Sequence, residues 1–275
     1  MSLSVNNNPG ALIALQNLTS TESQLQTAQN EVSTGLAVSS PSDNGAIWAI
    51  AQNQRATASS LDSVTQSLQR AQSTIDVATS AGQSVSDLLN QLKSKALAAS
   101  DTSLDTASRD ALNADFTSLR NQITSVVDNA SFNGANLIDS GAKSIFALAN
   151  ADGSAQLTVA AQDLSLGRSN VTLTATTSIS TATLAQNAIA VVETSLTNVN
   201  NALAKLGTAD NALTSQMTFV GNLQDTIDTG VGNLVNANLA KESAQLQALQ
   251  TKQQLGIQAL SIANSSSSSL LSLFR

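Results

Sequence analysis

Counting from Leu61 in alternating steps of three and four residues lands on Val64, Leu68, Ala71, Ile75, Ala78, Gly82, Val85, Leu89, Leu92, Ala96 and Ala99, every one apolar or glycine. A spacing that averages 3.5 residues keeps one stripe along an α-helix and conflicts with the two-residue period of a strand. Ile47 and Ile50 keep the register upstream while Gln54 and Thr57 interrupt it, so the pattern predicts one helix from about Asn44 to Ala99. At the usual rise per residue such a helix is roughly 80 Å long. No single helix of this kind is stable alone in water, so the chain must supply partners for the stripe.

Two further seams supply them. After a break at Ser100 to Asp105, Leu112, Phe116, Leu119, Ile123, Val126 and Ala130 repeat the rhythm, ending at the turn Ser131-Phe132-Asn133-Gly134. The third runs through Ile189, Val192, Leu196, Val199, Leu203, Leu206, Leu213, Met217, Val220, Ile227, Val231 and Leu234, with Asp210 and Gln224 as its polar steps. Three such stripes predict a rod-like bundle. Between the second and third, Ile145 to Leu148, Gln156 to Ala160 and Val171 to Ala175 read as short strands separated by Asp152-Gly153 and Leu166-Gly167. The expected fold is therefore mainly α, a long-helix coiled-coil bundle with a small β-hairpin region. The serines and threonines of 172–183 are expected to face solvent.

The two ends have helical patterns of another kind. Up to Gln54 the only ionisable side chains are Glu22, Glu31 and Asp43, while Leu15, Leu18, Leu25, Val32 and Leu36 mark an apolar stripe. At the other end Leu239, Leu246, Leu249, Leu260 and Ala263 mark a second, before a serine run and the apolar tail Leu270, Leu271, Leu273, Phe274. A solvated helix carries a charged back face, which these lack. They are expected to be covered on several sides, by each other and by neighbouring copies. The expected divisions are 1–43 and 232–275 as terminal helices, 44–139 and 181–231 as the two parts of the bundle, and 140–180 as the β region.

Composition narrows the chemistry. Histidine, cysteine and tyrosine are absent, which removes imidazole bases, soft-metal ligands and disulfides. Ser140-Gly141-Ala142-Lys143 matches a serine–lysine hydrolase pattern without its companion motifs, and the two glycosylation triplets, Asn17-Leu18-Thr19 and Asn170-Val171-Thr172, are frequent accidents in such a sequence. No phosphate-binding glycine motif or calcium loop occurs, so no enzyme activity, metal or cofactor is expected. Twelve basic residues stand singly against 19 acidic ones, a formal charge of −7 that disfavours nucleic acid as a partner. No apolar run is long enough to insert in a membrane, and Met1 to Gly10 do not read as a cleaved signal peptide.

The end motifs resemble those of bacterial flagellin along nearly the whole chain, in particular the short flagellins of alphaproteobacteria. They comprise Ser33-Thr34-Gly35-Leu36, Asp43-Asn44-Gly45-Ala46-Ile47-Trp48-Ala49-Ile50-Ala51 and Phe132-Asn133-Gly134-Ala135-Asn136-Leu137-Ile138. Near the C-terminus they comprise Asn233-Leu234-Val235-Asn236-Ala237-Asn238-Leu239-Ala240-Lys241-Glu242-Ser243-Ala244, then Leu255-Gly256-Ile257-Gln258-Ala259-Leu260, and Leu270-Leu271-Ser272-Leu273-Phe274-Arg275. The resemblance implies a subunit that self-assembles into the extracellular filament of the flagellum for swimming, with paired terminal helices forming an inner tube. It implies as partners other copies of the chain, an export chaperone and the type III export apparatus, and hook-associated and cap proteins. The assembly residues it points to are Leu15, Leu18, Leu25, Val32, Leu36, Leu239, Leu246, Leu249, Leu260, Leu271, Leu273 and Phe274. It also implies O-glycosylation, for which Ser165, Ser169, Thr172, Thr174, Thr176, Thr177, Ser178, Ser180, Thr181 and Thr183 are the candidates. The chain departs from the family pattern at Ala37, where a basic residue is usual, and at Asn236 and Asn238, where aspartates are. Gln91 to Ala98 lack the arginine and glutamate pattern read by an innate immune receptor. The competing readings are a hook–filament junction protein and a secreted coiled-coil effector.

Overall fold

The computed structural model describes residues 8–272, with side chains described as far as Ser265. Among these residues are five α-helices, α1 (Pro9–Thr34), α2 (Pro41–Ala99), α3 (Thr106–Asn129), α4 (Ala182–Val235) and α5 (Leu239–Ser272), and four short strands, β1 (Ser131–Phe132), β2 (Ala135–Asn136), β3 (Ile145–Leu148) and β4 (Gln156–Val159). They divide into two compact units. One is formed by the residues up to Ala56 with those from Thr226 onward, the other by Thr57–Asp225.

Four of the five helices start where a side chain occupies an otherwise orphaned amide. Asn8 accepts from Ala11 N–H at 3.1 Å, Asp105 from Ser108 at 2.8 Å, Thr181 from Leu184 at 3.2 Å and Asn238 from Lys241 at 3.2 Å. Within α2, Asn44 leaves helical geometry, with φ −160° and ψ 99°, and its side chain accepts from Ile47 N–H at 3.1 Å. The long helix therefore begins anew at Asn44, the residue at which the sequence pattern predicts its start. Asn238 caps α5 through its side-chain oxygen, an acceptor that an aspartate would equally supply.

In the Thr57–Asp225 unit every seam position of α2 from Leu61 to Ala99 is buried. Four cross-contacts fix α4 antiparallel to α2. Gln224 donates to Asp62 at 2.8 Å, Gln72 to Thr214 at 3.4 Å, Leu203 lies over Gly82, and Lys93 pairs with Glu193 at 2.8 Å. The α4 seam differs from the sequence expectation at four steps, two of them at its ends, where Ala188 and Val235 are buried in place of the half-buried Ile189 and the exposed Leu234. Ser195 and Ala202 occupy the centre where Leu196 and Leu203 were expected, and the two leucines are half-buried beside it. Small residues at the centre let the helices approach, and Leu203 then fills the space that Gly82 leaves open.

The α3 seam is also displaced from its expected register. The buried line is Phe116, Arg120, Ile123, Val127 and Ala130, with Leu119 and Val126 only half-buried. Arg120 takes a core position because its Nη1 donates to Thr177 C=O at 2.6 Å, although its Nε has no partner. Desolvation lowers the pKa of that guanidinium. A charged residue carries no apolar signal, so periodicity placed the neighbouring leucine there instead.

The β region forms two antiparallel hairpins. In one, Ser131 pairs with Asn136 across a turn with Asn133 at φ 49° and Gly134 at φ 78°, the left-handed pair of a type I′ turn. In the other, Ile145 pairs with Val159 and Leu148 with Gln156. Val171–Ala175 forms no strand and contributes only a bridge between Leu166 and Val171. Its backbone is satisfied elsewhere: Thr172 N–H donates to Ser195 Oγ at 3.0 Å, and Leu173 C=O accepts from Gly167 N–H at 2.8 Å. Val171 and Leu173 are fully buried.

In the terminal unit α1 packs antiparallel on α5. Asn8 Nδ2 donates to Ala263 C=O at 2.7 Å, a Cβ on Gly256 would stand 3.3 Å from Leu18 Cδ1, and Leu36 forms an antiparallel bridge with Asn236. At the bridge end Val38, Ala51, Val231 and Val235 form a small core, with Trp48 and Ile47 packed against it.

Candidate assembly surface

The terminal helices have two kinds of apolar position. Ala11, Ala14, Leu18, Leu25, Ala28 and Val32 fall on one line of α1 in steps of three, four or seven, and all are buried or half-buried. On α5, Glu242, Leu246, Leu249, Gln253, Gly256, Leu260 and Ala263 form the complementary line in alternating steps of four and three. Leu18, Leu25, Val32, Leu246, Leu249 and Leu260, expected on the basis of the resemblance to meet neighbouring copies, therefore lie on the lines along which α1 and α5 pair within one chain. Leu36 sits at the bridge against the small core. Leu15 and Leu239 alone of the described candidates are exposed, each at 49%. Leu271 has a described backbone only, and Leu273 and Phe274 lie outside the described residues.

The exposed apolar surface is richest at positions the leucine stripe did not reveal. Leu12, Ile13, Leu255, Ile257 and Ile262 are 54 to 69% exposed. Isolated surface leucines are ordinary, but helices without a charged outer face that expose this many are built for cover. The signal was present in the sequence as the absence of charge around the whole helix. The most regular heptad positions lie on the lines of the intramolecular pair, and these five lie outside them.

The candidate glycosylation hydroxyls also separate. Ser169, Thr174, Thr176, Thr181 and Thr183 are exposed, whereas Ser165, Thr172, Thr177, Ser178 and Ser180 are half-buried. Ser165 Oγ is enclosed without a partner, Thr172 Oγ1 lies 3.1 Å from Ser195 Oγ, and Ser178 Oγ donates to Asn113 Oδ1 at 2.9 Å. The expectation that the whole stretch faces solvent fails because this segment uses its hydroxyls to replace strand hydrogen bonds.

Among the described residues no group of three or more potential ligands could hold a metal, and no helix is long and apolar enough to cross a membrane. What the molecule presents is a helical scaffold with exposed apolar faces on its terminal helices, the build of a structural subunit whose surface is completed by association. The sequence comparisons define the family. The bacterial flagellin N-terminal helical region matches residues 5–144 and the bacterial flagellin C-terminal helical region matches residues 189–274, and the chain belongs to the bacterial flagellin family. Flagellin FljM of Caulobacter vibrioides is 58% identical over 272 residues, covering 99% of this chain and 98% of the relative. A flagellin of Brucella melitensis is 37% identical over 281 residues, covering 99% of each. Among solved structures, Bacillus cereus flagellin superposes with a TM-score of 0.50 at 22% identity, over 56% of this chain and 88% of that one, a likeness of fold. The chain is thus a structural subunit that polymerises with other flagellin subunits into the filament of the bacterial flagellum, an organelle of motility.

Proposed function

We propose that the outer faces of α1 and α5 are the surfaces that polymerisation covers, forming the inner wall of the filament, and that the terminal helices gain most of their stability there. The supporting observation is the exposure of Leu12, Ile13, Leu15, Leu255, Ile257 and Ile262 on helices almost free of charge. Fully burying each such side chain contributes about 1.5 to 3 kcal/mol, a gain that adds to the α1–α5 packing in offsetting the entropy of ordering the two ends. The role is structural and not catalytic. In this reading the subunit travels unfolded through the type III export apparatus with a chaperone on its C-terminal end, meets hook-associated and cap proteins outside the cell, and works extracellularly. Absence of cysteine suits that route, since an unfolded chain cannot then be trapped by wrong pairing.

Substituting Ile13→Asn and Ile257→Asn tests the surface. Both side chains are exposed in a single chain, so the circular dichroism of the monomer should be unchanged. The critical concentration for seeded growth should rise about ten- to a hundredfold for each, the equivalent of the lost burial. Growth at the wild-type concentration would reject the assignment.

Glycosylation, if carried by 165–183, belongs on Ser169, Thr174, Thr176, Thr181 and Thr183, which are exposed, whereas Ser165, Thr172, Thr177, Ser178 and Ser180 are half-buried and leave an attached sugar less room. Intact-mass measurement on native filaments should show added sugar, and fragmentation of the peptides should place it at these positions. The unmodified mass would end the proposal.

A further inference from the structure

The terminal helices have so few charges that the grouping of those present is informative. Glu31 stands near the C-terminus of α1 and Glu242 in the first turn of α5. The backbone brings them together: Ala37 N–H donates to Val235 C=O at 2.7 Å, Ala237 N–H to Gly35 C=O at 2.9 Å, and Leu36 bridges to Asn236. Glu242 is only 8% exposed, on the line of α5 that meets α1, and Glu31 is half-buried at the end of α1 that the bridge joins to it. Ionised carboxylates have acceptors only, so two of them brought together away from water repel each other unless one takes up a proton.

The surroundings indicate which one. From α5, Lys241 Nζ lies 3.9 Å from Glu242 Oε1 and remains largely exposed. From the first turn of α2, Asp43 adds a third carboxylate, which Ser39 and Ser40 keep ionised by donating to its Oδ2 at 2.9 to 3.0 Å. One exposed lysine does not neutralise three carboxylates. The carbonyl ends of α1 disfavour charge on Glu31. Desolvation is the main influence raising the Glu31 pKa, followed by the hydrogen bond and repulsion from Glu242 and then repulsion from Asp43, with Lys241 opposing them.

We propose that Glu31 and Glu242 form a proton-sharing pair, with the proton on Glu31, so that closing α1 on α5 takes up a proton and the terminal pair is held more tightly in mild acid than at neutral pH. An acid with a raised folded-state pKa contributes stability that is complete below its ordinary value of 4.5 and is lost as pH rises through the raised value. Asp43 sets the opposite limit: its pKa is lowered by the serine hydrogen bonds, so its contribution fades only in stronger acid.

The test uses filaments of the full-length protein, with thermal depolymerisation followed between about pH 4.5 and about pH 8, the side on which Glu31 loses its proton. The wild-type midpoint should fall as pH rises, and its critical concentration should climb by at most about tenfold per pH unit, the limit for one proton. Glu31→Gln keeps a neutral hydrogen-bonding group, so it should remove that dependence and melt above the wild type at neutral pH. Glu22→Gln, on the exposed face of α1, should follow the wild type. A Glu31→Gln variant that keeps the wild-type slope, or that melts lower at neutral pH, overturns the proposal. Should the variant not assemble, the infrared carboxylic-acid band of wild-type filaments with isotope-labelled glutamate decides. Its survival above the ordinary glutamate range supports the shared proton, and its loss within that range refutes it.

Discussion

A chain lacking Met1–Asp43 is expected to keep the fold of its Thr57–Asp225 unit and to form no filaments. That unit has its own buried seams on α2, α3 and α4, tied by Lys93–Glu193, Lys95–Asp115 and the Arg120 bond to Thr177 C=O, and none of these involves α1. Deleting α1 leaves α5 without its antiparallel partner and takes away the bridge at Leu36, together with Val38 of the small core. The inner line of α5, from Leu246 to Leu260, is then uncovered, and the isolated helix is marginal in water. Electron microscopy after seeding should show filaments from the intact chain alone, while circular dichroism of the truncated chain retains the helical signal of the remaining unit. Trp48, the only tryptophan, packs against the core that loses Val38, so its fluorescence should shift toward that of a solvated indole. Filaments from the truncated chain would show that the terminal pair is dispensable.

Gly82→Leu should be the most damaging single change in the seam between α2 and α4. Gly82 is buried, and a Cβ built there would lie 2.7 Å from Leu203 Cδ2 and 3.4 Å from Leu164 Cδ1. Glycine inside a helix costs about 1 kcal/mol relative to alanine, so Gly82→Ala gains propensity while asking only the end of the Leu203 side chain to move. Its net effect should be small. Leucine places three more carbons where Leu203 and Leu164 already fill the space, and overpacking of this kind costs about 1 to 3 kcal/mol or more. In a unit of this size each kcal/mol lowers the melting temperature by about 2 to 4 °C, so thermal denaturation should separate the two variants. A leucine variant as stable as the alanine one would show that the two helices part more easily than their register suggests.

Much of this architecture is legible without coordinates because a repeated period integrates over many residues. The twelve seam positions of α2 are all buried where the three-four rhythm put them. The restart of the helix at Asn44 and the hairpin pairing of 145–148 with 156–159 follow equally local rules, a capping side chain and a turn glycine. Arg120, Ser195 and Ala202 escaped the same reasoning. Periodicity reads apolarity, whereas a core position between closely packed helices rewards small size, and a buried guanidinium depends on a carbonyl more than fifty residues away. The absence of a third strand at 171–175 has the same origin, since Ser195 lies on a distant helix and supplies the hydrogen bond a neighbouring strand would have given.

The sequence by itself determined the class of molecule: residue types that exclude most active-site chemistry, stripes that demand helical partners, and end motifs that place it among flagellins. Only the tertiary structure decided which face of each terminal helix is buried within the chain and which is left exposed. Leu18 and Leu25 cannot be told from Ile13 and Ile257 by hydrophobicity, and their difference lies in the antiparallel register set at Leu36 and Asn236. That same register puts Glu31 against Glu242, two residues 211 positions apart in the chain. Local period determines which side chains can share a face, and long-range closure alone determines what that face meets.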